Sequence, residues 1–442
     1  MSIDFKLRDF FYPLPILTLR RFMEKSQYFP EDQLRDYQLE RLQLIVRHAY
    51  NNVPYYRDLW NKLKISPDDI RSLDDLQYFP VLTKDDMRAH SRNMTADNAK
   101  KYHPIAYSTS GSTGQPVRFY LDASSNILEF CYYWRHWSWG GYRLGDTFAD
   151  FRGHFFTKNK DTANDLFHYN RLTRRLVLNN NLISYNNMGL FADCIRKYRP
   201  KFLKGLASTI YIFALLLKKR GITDISFQGI FSTGEMLLPH HRKLIEEVMH
   251  CKVYDSYGHM ERTAAVSECE RGGYHINMEY GILELEEKSS SGGTVSGNVI
   301  GTSLHNFAMP FIRYRLGDVI EISSDKRTCP CGRTLPLINK LHGRMEDNIV
   351  TPDGRVLTSI FIVFEFVDGI ELGQLAQKTV DELIVRIAKN EKYTAEQEAK
   401  LLGILRTYVG NEMQVTFDYS NVEAIRGDTH RKFKIVVSDV DV

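Results

Sequence analysis

Between about residues 104 and 320 of this 442-residue chain, short runs of β-forming residues alternate with stretches of helical period. FLKGLAS (202–208) is followed by TIYIFALLLKKRG, which ends on Gly221, and then by FQGIFSTGE (227–235). Such alternation builds βα units and predicts an α/β body. Upstream, residues 34–64 carry Leu39, Leu42, Ile45 and Val46 at helical spacing, broken at Pro54. KSSSGGTVSG (288–297) reads as an exposed hairpin or loop. After Gly343 the texture changes. IFIVFEFVDGI, DELIVRIAKN, TAEQEAKLLGILRTYVG and MQVTFDYS together predict a small α+β unit. The expected domains are therefore 1–342 and 343–442.

Charge and composition exclude several classes. Lys plus Arg is 58 and Asp plus Glu is 54, a net charge of +4. A dedicated nucleic-acid binder carries a larger basic excess, so no nucleic-acid partner is expected. Asp4, Asp9, Pro13 and Pro15 spoil a signal peptide, and the apolar run Phe10–Leu19 is too short to span a bilayer. That run, with Arg20 and Arg21 behind it, is expected to be a helix packed on the body of a cytoplasmic protein without a transmembrane segment. In a reducing compartment the six cysteines are thiols or ligands, not disulfides. Cys131, Cys194 and Cys251 read as core residues.

The sharpest local signal is YSTSGSTGQPVRFY (107–120), in which every residue from Ser108 to Gly114 is Ser, Thr or Gly. Glycines let successive backbone N–H groups face one point, and hydroxyls add donors, which suits phosphate oxygens. The β-formers on both sides favour a hairpin. The spacing is not that of a Walker loop, and no Lys-Ser/Thr follows.

TSGSTGQP resembles the phosphate-binding loop of the acyl-adenylate-forming enzymes, with Gln115 where a lysine is common. Further blocks follow in that family's order. STGEML (232–237) resembles the adenine-pocket block, YGHME (257–261) the Y-G-x-x-E motif, IRYRLGD (312–318) the Y-R-x-G-D motif and GRMED (343–347) the hinge motif. RHAYNNVPYYRDLW, LDDLQYFPVLTKDDMR (73–88), NFAMPFIRYRLGD and CPCGRTLP resemble the phenylacetate–CoA ligase family, nearest to its capsular-polysaccharide, CapK-like branch.

The resemblance implies a large N-terminal α/β domain and a small mobile C-terminal α+β lid. It implies that Thr109, Ser110, Gly111, Ser112, Thr113 and Gly114 hold the β- and γ-phosphates of ATP. Gly234 and Glu235 would line the adenine pocket, with Tyr257 and Gly258 against the base. Glu261 would place magnesium, Asp318 would take the ribose hydroxyls, and Arg344 would be a second nucleotide contact. A helical turn after Gly258 would set Tyr257 and Glu261 on one face. Glu346 falls at the hinge position. The family's tail lysine falls on Lys432, with Arg431 replacing the usual glycine and Lys434 as the second candidate.

Cys269-x5-His275 and Cys329-x-Cys331 offer three thiols and an imidazole, a set that suits tetrahedral structural zinc if the two pairs meet. Members of the same branch carry similar Cys/His blocks. Unligated thiols are the alternative. FCYYWRHWSWGGYRLGD (130–146) is either an acyl-pocket wall, as the resemblance implies, or core. His154 and RLTRR (171–175) face an anionic substrate or form a solvated helix face, and His259 is a candidate pocket wall.

The expected activity is ATP-dependent formation of an acyl-adenylate with release of pyrophosphate, then acyl transfer. CoA is the family's default acceptor, and an amine or a carrier-protein thiol is the alternative, in capsular polysaccharide biosynthesis. A non-catalytic nucleotide-binding or scaffolding role in polysaccharide machinery is the competing class. A nucleic-acid adenylating ligase needs K-x-D-G, which is missing.

Overall fold

The computed structural model describes residues 13–109, 117–152, 166–235, 237–323 apart from 292, 327–342, 348–421 apart from 358 and 359, 424–425 and 434–440. Among these residues the chain forms two compact units. One is drawn from the spans 1–108, 117–142 and 254–343, the other from 109–116, 143–253 and 344–442. No helix among the described residues is long and apolar enough to cross a membrane.

In the first unit, helices Glu31–Asn52 and Pro54–Leu63 lie on either side of Val53. Pro54 ends one helix and starts the next, because the first helical position needs no N–H donor. Leu42, Ile45, Val46, Ala49, Tyr56 and Trp60 are buried together on these helices, as the spacing predicts. The expected N-terminal helix is present at Pro13–Ser26, with Ile16 and Met23 buried and Arg20 4.3 Å from the Trp134 ring centroid. Helix Ala123–Trp139 starts on Asp122, whose carboxylate accepts from the Ser125 N–H at 3.0 Å.

Strands Gly281–Ser291, Thr294–Ser303, Tyr314–Ser323 and Lys340–His342 form an antiparallel sheet. Ser291 pairs with Thr294, so the expected hairpin at 288–297 is present. Ala265–Glu268, Tyr274–Ile276 and Leu337–Ile338 pair antiparallel beside the strand that ends at Gly258.

In the second unit, Phe148–Phe151, Arg175–Leu178, Phe202–Leu206 and Gly229–Thr233 run parallel, with Phe167–Asn170 antiparallel at the edge. Helices Met188–Tyr198, Ala207–Lys219 and Pro239–Met249 supply the connections and much of the apolar core. The α/β expectation holds. RLTRR is not a helix face: residues 171–174 form an exposed turn between two strands. The Asn170 side chain makes that turn by accepting from the N–H groups of Leu172 and Thr173.

Within the same unit, antiparallel strands Ile370–Thr379 and Glu382–Lys389 are flanked in parallel by Val436–Ser438 and Gln414–Tyr419. Leu383, Val385 and Ile387 alternate inward and meet Leu401, Leu405, Tyr408 and Val409 of helix Ala395–Val409. IFIVFEF is a short helical turn (Ile360–Phe366) despite its β-forming composition. The Phe364 ring lies where a Cβ on Gly373 would come within 2.8 Å, so tertiary packing overrides propensity.

Candidate functional site

Three of the expected site residues come together in the first unit. Tyr257 lies near the end of strand Val253–Gly258, and its hydroxyl donates to Asp318 at 3.0 Å. Asp318 sits on a bulge of strand Tyr314–Ser323. Asn298 and Ile300 of the neighbouring strand oppose Val319 and Arg315, so one residue faces three. Gly317, at φ +82°, supplies the left-handed step inside that bulge. The Y-R-x-G-D pattern therefore bulges the strand at Gly317 while keeping Asp318 on the buried side with Tyr314, Leu316 and Ile320.

Glu261 is 4% exposed and accepts from the Tyr314 hydroxyl at 2.9 Å. Tyr314 is fully buried, and its strand segment is clasped by Leu82, which bonds the Arg313 carbonyl and the Arg315 N–H at 2.9 Å each. That contact gives the FPVLTKDD block its role, because it fixes the strand that carries Asp318. The helical turn expected after Gly258 is not formed. The chain leaves the strand into a tight turn, with Arg262 at φ +54° and the His259 ring accepting from Thr263 N–H at 3.0 Å. Tyr257 and Glu261 are joined through Asp318 and Tyr314, not through helical spacing. His259 closes this turn by bonding to Thr263.

Gly234 follows strand Gly229–Thr233 at φ +81° and is exposed, with Glu235 half-buried beside it. Strands Ile105–Thr109 and Val117–Leu121 pair as a two-stranded sheet, which bears out the hairpin around the glycine-rich loop. Ser110, Gly111, Ser112, Thr113, Gly114 and Gln115 lie outside the described residues, as do His154, Arg344, Glu346, Arg431 and Lys432. Thr109 is described as backbone only. Lys434 is half-buried, and its carbonyl accepts from Gln374 at 2.9 Å.

Cys269, His275, Cys329 and Cys331 do meet: their ligand atoms all lie within 4.8 Å of one another. Cys269 and Cys329 sulfurs are 3.5 Å apart, and Cys331 Sγ is 3.3 Å from His275 Nε2. A zinc–sulfur distance of about 2.3 Å puts neighbouring tetrahedral ligands about 3.8 Å apart, close to these separations. His275 Nδ1–H donates to the Leu335 carbonyl at 2.9 Å, which leaves the Nε2 lone pair aimed at the thiols. A Cβ on Gly273 would stand 2.8 Å from Cys329 Sγ, so only glycine leaves the centre open. Burial pushes the Cys269 thiol up to about 12, the direction that a bound cation reverses. For Cys331, burial opposes the thiolate, but the Arg333 N–H and guanidinium outweigh it and hold the thiol below its usual range.

The aromatic segment 130–146 is packed in the interior. Trp137 meets Tyr133 and Tyr142, and Trp139 meets His136 and His275, with its indole N–H donating to Gln27 at 2.9 Å. Cys131 and Cys194 are buried and Cys251 half-buried, all as free thiols. The residues missed by sequence reasoning are Tyr314, which holds Glu261, and the ions beneath the site. Arg135 pairs with Glu279 at 2.7 Å, and Arg262 with Glu129 at 3.7 Å, all four fully buried. A buried Arg or Glu is rare unless paired, but a sequence does not announce which ones are buried.

The geometry defines a chain of the adenylate-forming fold, with the Y-R-x-G-D aspartate and the Y-G-x-x-E carboxylate presented from neighbouring elements. Residues 349–439 match the family model of the CapK C-terminal domain. A phenylacetate-coenzyme A ligase of Thermus thermophilus is 24% identical across 85% of this chain and 86% of its own length. One from Pseudomonas putida is 26% identical across 75% of each. A crystal structure of 2-hydroxyisobutyryl-CoA ligase superposes with a TM-score of 0.58 at 19% identity, over 94% of this chain and 92% of that one, a likeness of fold. The chain thus carries a match to the CapK C-terminal domain at residues 349–439, is similar over most of its length to phenylacetate-coenzyme A ligases, and shares the fold of an AMP-forming acyl-CoA ligase.

Proposed function

We propose that this protein activates a carboxylic acid with ATP and passes the acyl group to the thiol of coenzyme A. A carboxylate oxygen attacks the α-phosphorus, the bond to the bridging oxygen breaks, and pyrophosphate leaves. The thiol then loses its proton and its sulfur attacks the acyl carbonyl, expelling AMP. The barrier to the first step is charge repulsion, so the protein's contribution is positioning and electrostatic stabilisation. The observation that supports this reading is the buried Asp318 on its bulged strand accepting from the Tyr257 hydroxyl.

In this reading Asp318 accepts from the ribose hydroxyls while Tyr257 and Gly258 flank the base, with Gly234 and Glu235 on the adenine side. Thr109 to Gly114 cradle the β- and γ-phosphates, and Arg344 adds a contact. Magnesium keeps most of its waters and needs one or two protein carboxylates, so a lone buried Glu261 fits it. Such an ion neutralises phosphate charge. Lys432 stabilises the reacting carboxylate and α-phosphate, with Lys434 as its alternative. Residues 343–442 act as a lid turning about Glu346. The Cys/His cluster is a closed structural zinc site, because four protein ligands leave no position for chemistry. The relatives named as CoA ligases favour CoA as acceptor over an amine or a carrier-protein thiol. A place in capsular polysaccharide biosynthesis rests on the CapK match at residues 349–439.

Carboxylate-dependent ATP–pyrophosphate exchange, run across aryl, fatty, amino and uronic acids, tests the first half-reaction. Exchange with one class is expected and names the substrate; silence from all four counts against the reading. Lys432→Ala should abolish exchange yet spare transfer from a supplied acyl-adenylate. Exchange at the unmodified rate would remove Lys432 from the site.

A further inference from the structure

The basic run RLTRR (171–175) has no part in the nucleotide chemistry, and the second unit gives it company. Strands Phe148–Phe151, Arg175–Leu178 and Phe202–Leu206 run parallel, and Phe148 pairs with both Arg175 and Phe202, so all three begin level with one another. The segments that lead into them, 143–147, 171–174 and 197–201, therefore meet along one edge of the sheet. These segments contain Arg143, Arg171, Arg174, Lys197, Arg199 and Lys201, all exposed, and a single carboxylate, Asp146. The nearby Asp193 and Asp224 are taken up by Arg196, each at 2.7 Å. Basic residues are common at the negative end of a helix, which accounts for Lys197 and Arg199 at the end of Met188–Tyr198. Arg171 and Arg174 lie between two strands, where that reason does not apply.

The three segments are bonded to one another. Arg174 Nη1–H donates to the Gly145 carbonyl at 2.9 Å. Lys201 Nζ donates to Asp146 at 2.6 Å, and the Thr147 hydroxyl donates to the Arg199 carbonyl at 3.1 Å. Two leucines stand out from this frame: Leu172 is 83% exposed and Leu144 is 67% exposed. One exposed leucine is ordinary, but two on one edge, among six cations, form an amphipathic surface. A nucleic acid would use the arginines and gain nothing from the leucines. A bilayer uses both, because apolar side chains enter the acyl boundary while Arg and Lys stay with anionic headgroups.

We propose that this edge is a peripheral membrane-contact surface, at which Leu144 and Leu172 insert into a bilayer rich in anionic phospholipid and the surrounding cations bind its headgroups. The proposal stands apart from the nucleotide-site reading. Gly234 follows Gly229–Thr233 at the opposite, C-terminal end of the same parallel strands, so contact here leaves that end pointing away from the lipid.

The test is co-sedimentation of the whole chain with vesicles of phosphatidylcholine alone and of phosphatidylcholine mixed with phosphatidylglycerol. Binding is expected only to the mixed vesicles, and added salt should release much of it, since exposed charges are screened. Leu144→Ser combined with Leu172→Ser should weaken binding roughly tenfold. Arg171→Gln should weaken it about fivefold, the contribution of one cation at an anionic surface. These side chains are exposed, so circular dichroism and the urea midpoint should not change. Leu17→Ser is the control: that side chain is also exposed, but on helix Pro13–Ser26, and the variant should bind as the unmodified chain does. Failure to bind the mixed vesicles overturns the inference, as does binding that survives loss of both leucines or depends on Leu17 instead. Retention on duplex DNA that exceeds retention on vesicles and ignores the leucines would assign the edge to a nucleic acid and overturn it too. Pyrophosphate exchange tests the nucleotide-site reading separately, so the two can fail independently.

Discussion

The core of residues 349–439 and the interior of the first unit are built by different means. The former packs Leu375, Leu383, Val385, Ile387, Leu401, Leu405 and Met413 into an apolar cluster. The latter buries Arg135, Glu279, Glu129, Arg262 and a Cys/His cluster among its apolar side chains. Apolar packing is non-directional and tolerates approximate shape. Buried ions are stable only when each finds its partner, so they specify one arrangement and penalise every other. The interior that carries Asp318, Tyr257 and Glu261 thus tolerates less deviation than the apolar core of residues 349–439.

Metal analysis should sharpen this contrast most. About one zinc per chain is expected, and its removal by a strong chelator should destabilise the first unit more than any single substitution, because the thiols are left buried. A metal-free preparation of unchanged stability would remove zinc from the account.

Next in size, Glu279→Ala strands the fully buried Arg135 and should cost about 3–5 kcal/mol in urea unfolding. The apolar pair Arg135→Met with Glu279→Leu should recover much of that. A double variant as unstable as the single one would show that packing, not charge, is at stake.

In the second region, Leu405→Ala removes methyl groups from a fully buried site and should cost about 2–4 kcal/mol. No second substitution should rescue it in the way the ion pair is rescued. Such a rescue would break the comparison.

The smallest effect is that of pH. Burial, reinforced by Arg41, pushes His305 from 6.5 down to about 4. Burial likewise holds His136 down to about 3. Below pH 6.5 the unfolded chain takes up protons that the folded chain refuses, so stability is lost as pH falls from 6.5 toward 4. Each histidine should contribute on the order of 2 kcal/mol of loss between pH 7 and 5. His305→Asn, which does not titrate, should flatten the profile, and an unaltered slope would place the titration elsewhere. The described residues of 349–439 include no histidine, so this apolar core should not share the dependence.

Much of the scaffold was legible because it depends on local chemistry. Leu42, Ile45 and Val46 recur at the period of a helix, and Leu383, Val385 and Ile387 at the period of a strand. Pro54 marks a helix boundary whatever surrounds it. The helical turn expected after Gly258 failed because spacing alone cannot tell an i,i+4 helix from a turn pinned by partners far along the chain. RLTRR misled in the same way, since charge without periodicity fits a turn as well as a helix face.

By itself, then, the sequence determined the order of the βα units, the apolar design of the C-terminal core and which residue types could do nucleotide or metal chemistry. Those follow from backbone preference and side-chain period, which act over a few residues. Only the tertiary structure brought Cys269 and His275 to Cys329 and Cys331, Tyr314 to Glu261, and Arg262 to Glu129. The stabilisation of each pair comes from burial with a partner, a condition that the fold creates and that no local pattern records.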